Sequence, residues 1–525
     1  MVDQRATIVA RRAAELAAAT GLELPDDLAL WSLAGGRPAA APRAGEPEEL
    51  GELLETTLTR RERQTGGAHY TPRPLARELV GRALAGRARP TVGDPSCGGG
   101  ALLLAAARVL AERGEEPLEI VDRLWGMDVD PVAVATTEVA LALWAGAAPV
   151  PGHLLVGDAL LQVPGWPPLD VAVGNPPFLS QLDAGTTRGA ATADRLRQRF
   201  GAAVRAYTDA AGLFLLVACD LVAPGGTVAL LQPQSVLGAR DATGVRDAVA
   251  AQGRVVEVWI PADPGFSASV DVCVPLIEVG APEASHSWSR HLARANGVPI
   301  VELPAGSTVG EVAITTAAFR SEYYGMVDHV HEQASCPAGA PLVTTGLIDL
   351  GGCAWGERRA RIGGRSWTHP VLDVAALEGR AADWVRRTRV PKILVATQTR
   401  VVEVVVDDDG AWVPGVPLVV VLPAPDQRWP VAAALASPAV TAWLLQQAAG
   451  TALTSTALKV SASLLRSVPL PTDADAWALG AAALRQGDLD AFATAMAAAY
   501  ATEPSVTEWW LERARAVWSP QGERR

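Results

Sequence analysis

The sequence predicts an α/β fold in which a mainly parallel sheet carries helices on both faces, followed by a second domain. Three observations predict this fold. Short apolar strands alternate with helical segments from about residue 90 to about residue 280. Polar or glycine-rich turns follow the strands, and 525 residues exceed the usual size of one domain. With 49% hydrophobic and 19% charged residues, the composition is that of a globular protein.

The elements follow in a regular order. Residues 1 to about 60 are predicted to be helical, chiefly at 11–19 and 48–61, and an amphipathic helix is predicted at 73–84. Strands are predicted at 91–93, 124–127, 153–156, 171–173, 227–231, 254–260 and 272–279. The intervening helices are predicted at 101–113, from Pro131 through Ala145, and at 210–221.

One predicted strand ends in a stiff turn, Asn175-Pro176-Pro177-Phe178. The prolines fix the backbone and donate no hydrogen bonds, so carbonyl oxygens are left to accept them from a ligand. The Asn175 side-chain oxygen and the Pro176 carbonyl can each accept one N–H of a planar exocyclic amine, while Phe178 stacks on the ring that bears it. The carboxyl ends of strands are where open α/β sheets bind ligands. The alternative is a proline-rich loop after a core strand.

A glycine-rich turn and two later acids predict a nucleoside ligand. The turn Asp94-Pro95-Ser96-Cys97-Gly98-Gly99-Gly100 joins the first strand to its helix, and Asp128 and Asp158 end the next two strands. An acid at the end of the second strand suits a ribose diol, and Asp94 suits an ammonium group better than a pyrophosphate. No P-loop lysine accompanies the glycines, which disfavours a triphosphate. A ligand with a ribose, an ammonium group and no phosphate is S-adenosylmethionine.

The cysteines and the N-terminus bear on the compartment. Five cysteines, at positions 97, 219, 273, 336 and 353, show neither metal-ligand spacing nor an even disulfide framework, which fits a reducing cytoplasm. The first residues lack a basic segment followed by an apolar run, and no uncharged apolar stretch reaches about 18 residues. The sequence therefore predicts a cytoplasmic protein that is neither exported nor inserted into a membrane.

The charge distribution favours a nucleic-acid partner locally, although the net charge of −12 opposes one overall. Only two lysines occur, Lys392 and Lys459, so nearly all the positive charge is arginine, which suits bidentate contacts with phosphate and guanine. Residues 357–389 hold eight arginines against four acids. Besides Arg380, they are Arg358, Arg359, Arg361, Arg365, Arg386, Arg387 and Arg389, which we predict to contact DNA. A solvated face is the alternative.

Five motifs in this order resemble the adenine-specific DNA methyltransferases of the gamma arrangement, in which cofactor motifs precede the catalytic motif and a target recognition domain follows. Asp94 to Gly100 matches the family's Asp-Pro-x-Cys-Gly-x-Gly, and Asn175 to Phe178 matches [DNS]-Pro-Pro-[FYW]. The other three matches are His69-Tyr70-Thr71-Pro72 with a Tyr-Thr-Pro segment, Gly126 to Asp130 with Gly-[ILVM]-[DE]-[ILV]-[DN], and Asp158 with the acid that receives the adenine amine of the cofactor. Gln232 to Leu237 resembles the segment after the fifth strand more loosely.

The resemblance implies a role for each matched residue. The Tyr-Thr-Pro segment closes over the methionine end of S-adenosylmethionine, Asp128 binds the ribose, Val129 contacts the adenine ring and Asp158 accepts from the adenine amine. The implied cofactor-binding residues are His69, Tyr70, Thr71, Pro72, Asp94, Pro95, Cys97, Gly98, Gly100, Asp128, Val129 and Asp158. The implied catalytic residues are Asn175, Pro176, Pro177 and Phe178. The implied reaction methylates the exocyclic N6 amine of an adenine flipped out of duplex DNA, without a metal.

The resemblance covers residues 60–280 strongly and the remainder more loosely. Two departures are small: the catalytic ring is Phe178 rather than Tyr, and Gly99-Gly100-Ala101 replaces a commoner ending with an aromatic residue. The implied architecture is a helical segment (1–60), a Rossmann-like S-adenosylmethionine-dependent methyltransferase sheet (61–285), a mixed α/β target recognition domain (286–480) and a helical tail (481–525).

Several alternatives stay open at this point. Glutamine and RNA guanine methyltransferases also carry Asn-Pro-Pro-aromatic, but they usually lack a large C-terminal domain and the Tyr-Thr-Pro segment. A catalytically silent DNA-binding or scaffold subunit fits poorly with intact Asp94, Asp128 and Asn175. A fused restriction enzyme would need a nuclease motif, and the N-terminal segment shows no convincing one. The expected partners are double-stranded DNA and other subunits of a restriction or phage-defence system.

Overall fold

The structure is a computed structural model that describes residues 2–58, 71–147, 152–178, 190–205, 208–262, 271–281, 288–318, 320–448 and 458–518. Two compact units make up the chain, Met1–His291 and Leu292–Arg525. The finer division into four segments stays a prediction.

The first unit is built on an eight-stranded sheet. Its strands are β1 (Val92–Asp94), β2 (Leu124–Asp128), β3 (Leu154–Val156), β4 (Leu169–Gly174), β5 (Val222–Leu230), β6 (Gln232–Pro233), β7 (Gly253–Trp259) and β8 (Val272–Val279). The order is β3-β2-β1-β4-β5-β8-β6, with β7 paired to β8. The first five strands in that order run parallel, whereas β8 is antiparallel to its neighbours. The sheet is therefore mainly parallel on the side of the glycine-rich turn, as predicted.

The helices of this unit follow the predicted alternation. They are α1 (Gln4–Thr20), α2 (Ala29–Ala34), α3 (Glu49–Thr57), α4 (Arg73–Ala83), α5 (Ala101–Glu112), α6 (Pro117–Val121), α7 (Pro131–Ala145), α8 (Ala190–Phe200), α9 (Ala210–Leu221), α10 (Thr243–Ala250) and α11 (Trp288–Ala295), which contains the unit boundary. Local sequence fixes their ends. For example, the Asp3 side chain accepts hydrogen bonds from the first backbone N–H groups of α1, and Gly21 ends that helix at φ 70°.

The three N-terminal helices share one hydrophobic core with the sheet. Val9, Leu30 and Leu50, one from each of α1, α2 and α3, are fully buried together with Val171 and Val173 of β4. Burying an aliphatic side chain of this size contributes about 1.5–3 kcal/mol relative to exposure. The N-terminal segment is therefore integral to this unit.

Strand β5 begins at Val222, earlier than the predicted start at Thr227. The strand runs through a glycine pair, and its pairing with β4 shifts register between Leu169 and Val171. Gly225 has φ 84°, and a Cβ on Gly226 would lie 2.7 Å from the Asp170 carbonyl oxygen. The glycines allow the strand to continue where the sequence suggested a connecting turn.

The second unit contains two four-stranded sheets, ordered β10-β16-β11-β20 and β19-β17-β21-β9, and three two-stranded ribbons, β12-β13, β14-β15 and β18-β22, among its described residues. The strands are β9 (Ala313–Ala317), β10 (Val330–Glu332), β11 (Ala340–Val343), β12 (Ile348–Asp349), β13 (Gly352–Cys353), β14 (Ala360–Ile362), β15 (Arg365–Trp367), β16 (Pro370–Leu372), β17 (Lys392–Val395), β18 (Gln398–Thr399), β19 (Val404–Asp407), β20 (Val413–Pro414), β21 (Val419–Pro423) and β22 (Leu458–Lys459).

Helices of the second unit concentrate near its C-terminal end. They are α12 (Val309–Val312), α13 (Arg320–Val327), α14 (Gly379–Thr388), α15 (Arg428–Ala436), α16 (Pro438–Ala448), α17 (Ala462–Arg466), α18 (Ala474–Gln486), α19 (Leu489–Ala499) and α20 (Pro504–Ala514). Trp510 of α20 is fully buried, and its indole N–H donates to the Thr441 hydroxyl at 3.2 Å. This tryptophan is a packing residue. No helix in the described ranges is long and apolar enough to cross a membrane.

Candidate active site

Four neighbouring strands of the first unit deliver the predicted site residues to one edge of the sheet. Asp94 and Asp128 are the last residues of β1 and β2, Asn175 directly follows β4, and Asp158 lies two residues beyond β3. Because β3, β2, β1 and β4 are parallel neighbours, their carboxyl ends lie side by side. The structure therefore brings these four residues to the same edge.

The glycine-rich turn leads directly into α5. Gly100 stands at the N-cap of α5 with φ 85°, and Gly98 has φ 52°. Both values are in the left-handed region that favours glycine. A Cβ on Gly100 would lie 3.0 Å from the Thr137 side chain, whose hydroxyl donates to the Gly98 carbonyl at 2.7 Å. Thr137, a fully buried polar residue of α7, thus fixes the turn from behind.

Asp128 is oriented by the backbone on both sides. One carboxylate oxygen accepts from the Gly98 N–H at 3.0 Å and the other accepts from the Asp130 N–H at 2.9 Å. Each oxygen retains further acceptor capacity, which two ribose hydroxyls would use. Burial raises the pKa of Asp128, and these hydrogen bonds oppose the rise.

An N-terminal arginine holds the same loop from the other side. The Arg5 guanidinium donates to both carboxylate oxygens of Asp130, at 2.7 and 3.2 Å. Asp130 in turn caps α7, because its side chain accepts from the Val132 N–H at 3.0 Å. Sequence reasoning assigned no role to residues 1–60, and this contact shows that α1 buttresses the loop that orients Asp128.

Helix α3 also contacts the glycine-rich turn. A Cβ on Gly99 would lie 2.6 Å from the Cα of Gly51, and neither backbone can yield easily at that distance. Any side chain at position 99 would push α3 away from the turn. Both positions are visibly glycine in the sequence, but only the structure shows that Gly51 and Gly99 face each other.

Asp94 is a buried acid with no cationic partner among the residues that the structure describes. It is 1% exposed, and one of its carboxylate oxygens accepts from both the N–H and the hydroxyl of Ser96, at 2.8 and 3.3 Å. Burial raises the pKa of Asp94 to about 7, and the negative charge of Asp128 adds to the rise. A positively charged ligand group next to Asp94 would stabilise its ionised form.

The other predicted cofactor residues differ in their exposure. Val129 is 64% exposed, as expected for a residue that would contact a ligand ring, and Pro95 is buried. The Asp158 side chain is half-buried and accepts from the Leu160 N–H at 2.9 Å. Burial raises the pKa of the Cys97 thiol well above its usual range, so Cys97 is a neutral packing residue in the turn.

The Asn-Pro-Pro-Phe turn lies directly beside Asp94. A Cβ on Gly174, the residue before Asn175, would lie 3.2 Å from a carboxylate oxygen of Asp94. Pro176 is buried, whereas Asn175 and Pro177 are half-buried, and Phe178 is half-buried against the hydrophobic core. The proposed amine-binding and ammonium-binding positions are therefore adjacent.

Thr71 connects the Tyr-Thr-Pro segment to this turn. The Asn175 side-chain nitrogen donates to the Thr71 hydroxyl at 3.1 Å, and Thr71 is 5% exposed. Pro72 stands at the N-cap of α4. His69 and Tyr70 lie outside the described residues. Because the nitrogen end of the Asn175 amide faces Thr71, its oxygen end faces away from that threonine.

The arginine cluster of the second unit occupies a hairpin and a helix. All seven predicted DNA-contacting arginines are exposed. Arg361 and Arg365 lie on the β14–β15 hairpin, whose turn Gly363-Gly364 has φ values of 60° and 76°. The Gly363 N–H donates to the hydroxyl of Tyr323 in α13 at 3.0 Å, and α13 packs on α14, which carries Arg386 and Arg387. The hairpin and the end of α14 thus flank the same helix.

Arg358 differs from the rest of the cluster because its guanidinium pairs with an acid that is almost buried. It forms a bidentate ion pair with the nearly buried Asp349 at 2.8 and 3.0 Å and donates to the Gly346 carbonyl at 2.9 Å. Burial raises the pKa of neighbouring Glu403 to about 8, with the Asp349 charge as a further cause. Arg358 therefore neutralises a buried acid in its own unit. No group of three or more candidate metal ligands occurs among the residues that the structure describes.

A sequence model of a known family matches the segment that carries this site. Residues 46–284, which hold the strand-end residues, match the sequence model of N-6 DNA methylases. The matched segment is a little under half of the chain. The sequence-based prediction of an adenine-specific DNA methyltransferase is confirmed by this match.

Several solved structures resemble this chain at low sequence identity. The type IIL restriction-modification enzyme MmeI, solved in complex with DNA, is 12% identical, covers 94% of this chain and 81% of its own, and has a TM-score of 0.55. The type IIG restriction endonuclease BpuSI is 11% identical, covers 98% of this chain and 78% of its own, and has a TM-score of 0.44. A type I methyltransferase subunit of Streptococcus thermophilus is 20% identical, covers 46% of this chain and 50% of its own, and has a TM-score of 0.34.

The likeness to MmeI extends over most of the chain and shows a shared fold. The predicted fold class, a methyltransferase sheet followed by a mixed α/β region, is confirmed. No curated protein matches the chain.

Proposed function

We propose that this protein transfers a methyl group from S-adenosylmethionine to the exocyclic N6 amine of an adenine flipped out of duplex DNA. The observation that carries this proposal is the adjacency of two binding positions at the sheet edge. The Asn-Pro-Pro-Phe turn suits a planar amine, and the buried Asp94 carboxylate beside it suits the ammonium group of the methyl donor.

The residues at the sheet edge fit S-adenosylmethionine. Asp94 is buried with Ser96 as its hydrogen-bond donor and without an ion-pair partner in the described ranges, so an ammonium group would complete its environment. Asp128 presents two oriented carboxylate oxygens to a ribose diol. Val129 exposes an apolar surface at the position where the adenine ring is expected. When bound, S-adenosylmethionine supplies an electrophilic methyl group.

The residues of the turn act on the acceptor amine. The Asn175 side-chain oxygen and the Pro176 carbonyl accept its two N–H groups and hold the nitrogen lone pair toward the donor. The two oxygens would stabilise the positive charge that the amine nitrogen gains as it takes the methyl group and the carbon–sulfur bond breaks. S-adenosylhomocysteine would leave as the second product, and one N–H proton would pass to water. Phe178 stacks on the flipped base, and base–aromatic stacking contributes about 1–3 kcal/mol. Positioning of the two reactants supplies the remaining rate enhancement.

The test is to identify the acceptor chemically. Wild-type protein and tritiated S-adenosylmethionine are incubated separately with DNA, with RNA and with a protein extract from a strain without adenine methylation, and the labelled nucleosides or amino acids are identified. Label in N6-methyladenine is expected. Label in cytosine, RNA or a protein glutamine instead would replace the proposed substrate with one of the open alternatives. If the protein binds DNA but transfers no label to any acceptor, the silent-subunit alternative is favoured.

A further inference from the structure

A two-stranded ribbon in the second unit carries side chains with the chemistry of base recognition. Strands β18 and β22 pair only with each other within the described residues, in antiparallel register with Gln398 opposite Lys459 and Thr399 opposite Leu458. A two-stranded ribbon is narrow enough to enter the major groove of B-form DNA.

The side chains of this ribbon alternate in exposure. Thr397 and Thr399 are 8% and 9% exposed, whereas Gln398 and Arg400 are exposed. Gln398 lies in β18, and Arg400 directly follows the end of that strand. Both exposed side chains therefore flank the buried Thr399 and are open to a ligand.

The ribbon is anchored at its base. The Val460 N–H donates to the Thr397 carbonyl at 3.0 Å, and the Thr399 hydroxyl donates to the Val401 carbonyl. Val401 and Val402 are fully buried immediately after the ribbon. The two projecting side chains thus start from a fixed backbone, which lowers the entropic cost of placing them against a ligand.

Gln398 and Arg400 also differ from several arginines of the cluster in their contacts with the described residues. Neither forms a hydrogen bond or ion pair with any residue in the described part of the chain. By contrast, Arg358 is held by Asp349, and Arg386 pairs with Asp383 at 3.0 Å. A side chain that must meet a base edge needs donors that are not already committed within the protein.

We propose that Gln398 and Arg400 read base edges in the major groove of the target DNA, Gln398 an adenine and Arg400 a guanine. A glutamine amide matches the N6 and N7 positions of adenine, and a guanidinium matches O6 and N7 of guanine. The Cα atoms of residues two apart in the chain are separated by at most roughly 7 Å, and stacked bases follow one another at roughly 3.4 Å. The two recognised base pairs therefore lie within about two steps of each other.

This inference rests on the proposed function, because it concerns the sequence context in which adenine is methylated. The test expresses wild type, Gln398→Ala and Arg400→Ala in a host without adenine methylation and maps N6-methyladenine by single-molecule sequencing. Arg515→Ala, another exposed arginine of the second unit, is the matched control. Wild type and the control should give one consensus. Gln398→Ala should lose discrimination at one A·T pair and Arg400→Ala at one G·C pair, by roughly 5- to 150-fold.

Conservative variants keep the test informative if an alanine variant fails to fold, which thermal melting would reveal. Gln398→Glu should move the preference at its position toward cytosine, because a carboxylate accepts from the cytosine N4 amine. Arg400→Lys should retain a weakened guanine preference. If all folded variants keep the wild-type consensus, at full or reduced methylation, the ribbon does not read bases. If wild type itself leaves no N6-methyladenine in cells or in vitro, the proposed function fails, and this inference fails with it. An unchanged consensus in the presence of methylation overturns this inference alone.

Discussion

At the scale of single residues, the site combines a buried acid with an oriented amide. Asp94 has its pKa raised to about 7 by burial and by the Asp128 charge, and Asn175 is held through its amide nitrogen by Thr71. The Asp94 carboxylate has no cationic partner among the described residues, and a bound cation would stabilise its ionised form. The Asn175 amide is oriented before a substrate amine arrives. The two features give separate predictions for binding and for turnover.

The affinity for S-adenosylmethionine should increase with pH between 5.5 and 7. Asp94 must be ionised to pair with the ligand ammonium, so below about pH 7 binding requires loss of a proton. The dissociation constant should fall by up to about tenfold per pH unit in this range and level off above pH 7, before the ammonium itself titrates near pH 8. Calorimetry at several pH values measures this. Asp94→Asn should bind weakly and without this slope, whereas an equal slope in the variant would assign the proton to another group.

Thr71→Val should lower the turnover number for methyl transfer. Valine preserves the shape of the threonine but cannot accept the Asn175 hydrogen bond. One hydrogen bond of this kind is worth about 1 kcal/mol, which corresponds to roughly a fivefold loss of rate. Steady-state kinetics with tritiated cofactor provides the measurement. Thr71→Ser should retain the wild-type rate, and equal losses in both variants would show that the hydroxyl does not orient the amide.

At the scale of secondary-structure elements, the N-terminal helices support the sheet edge that carries the predicted cofactor residues. Helix α1 reaches the loop after β2 through the Arg5–Asp130 ion pair, and α3 lies against the glycine-rich turn through Gly51. Both contacts act on residues that orient Asp128 or shape the turn. These helices therefore have a positioning role in addition to their share of the core.

Arg5→Ala should weaken S-adenosylmethionine binding about two- to fivefold without unfolding the protein. The variant loses a half-exposed bidentate ion pair, which is worth about 0.5–1 kcal/mol after solvent screening. The loop that follows Asp128 then loses one of its restraints. Calorimetry and thermal melting report the two effects separately. Arg11→Ala, on the same helix and 77% exposed, is the control and should bind normally. Wild-type affinity in Arg5→Ala would limit α1 to a packing role.

The sequence predicted those parts of the site that depend on local pattern and motif order. Asp94, Asp128, Asp158 and Asn175 each follow an apolar strand, and a parallel sheet necessarily aligns such strand ends. The Arg5–Asp130 contact joins residues 125 positions apart, and no local pattern records that separation. The early start of β5 was also hidden, because a glycine pair within a strand has the composition of a turn.

At the scale of the whole molecule, the arginine cluster that is predicted to contact DNA lies in the second unit. The exposed arginines of the β14–β15 hairpin and of α14 were predictable from composition. The acids that neutralise some of them were not, because Asp349 meets Arg358 only after β12 and the following segment fold together. The arginine cluster is therefore a set of unequal side chains, of which those without a buried acid partner are the better candidates for phosphate contacts.

Replacing Arg386, Arg387 and Arg389 together by alanine should flatten the salt dependence of DNA binding. Each lost phosphate contact lowers the slope of log affinity against log salt by about 0.9. Fluorescence anisotropy over a range of salt concentrations gives the slope. The triple variant of Arg485, Arg513 and Arg515 removes the same charge elsewhere in the second unit and should keep the wild-type slope. Equal slopes in wild type and the Arg386 triple variant would make this surface a solvated face.

The central claim, that the Asn-Pro-Pro-Phe turn activates an adenine amine, is tested most directly by single-turnover methyl transfer with Asn175→Ala. The experiment uses saturating tritiated S-adenosylmethionine, unmethylated DNA and parallel measurements of cofactor and DNA binding. Wild type should place the label in N6-methyladenine, and the variant should bind both ligands while its transfer rate falls at least about 100-fold, as expected for loss of a group that acts mainly in the transition state. Methylation of adenine by Asn175→Ala at the wild-type rate would contradict the account.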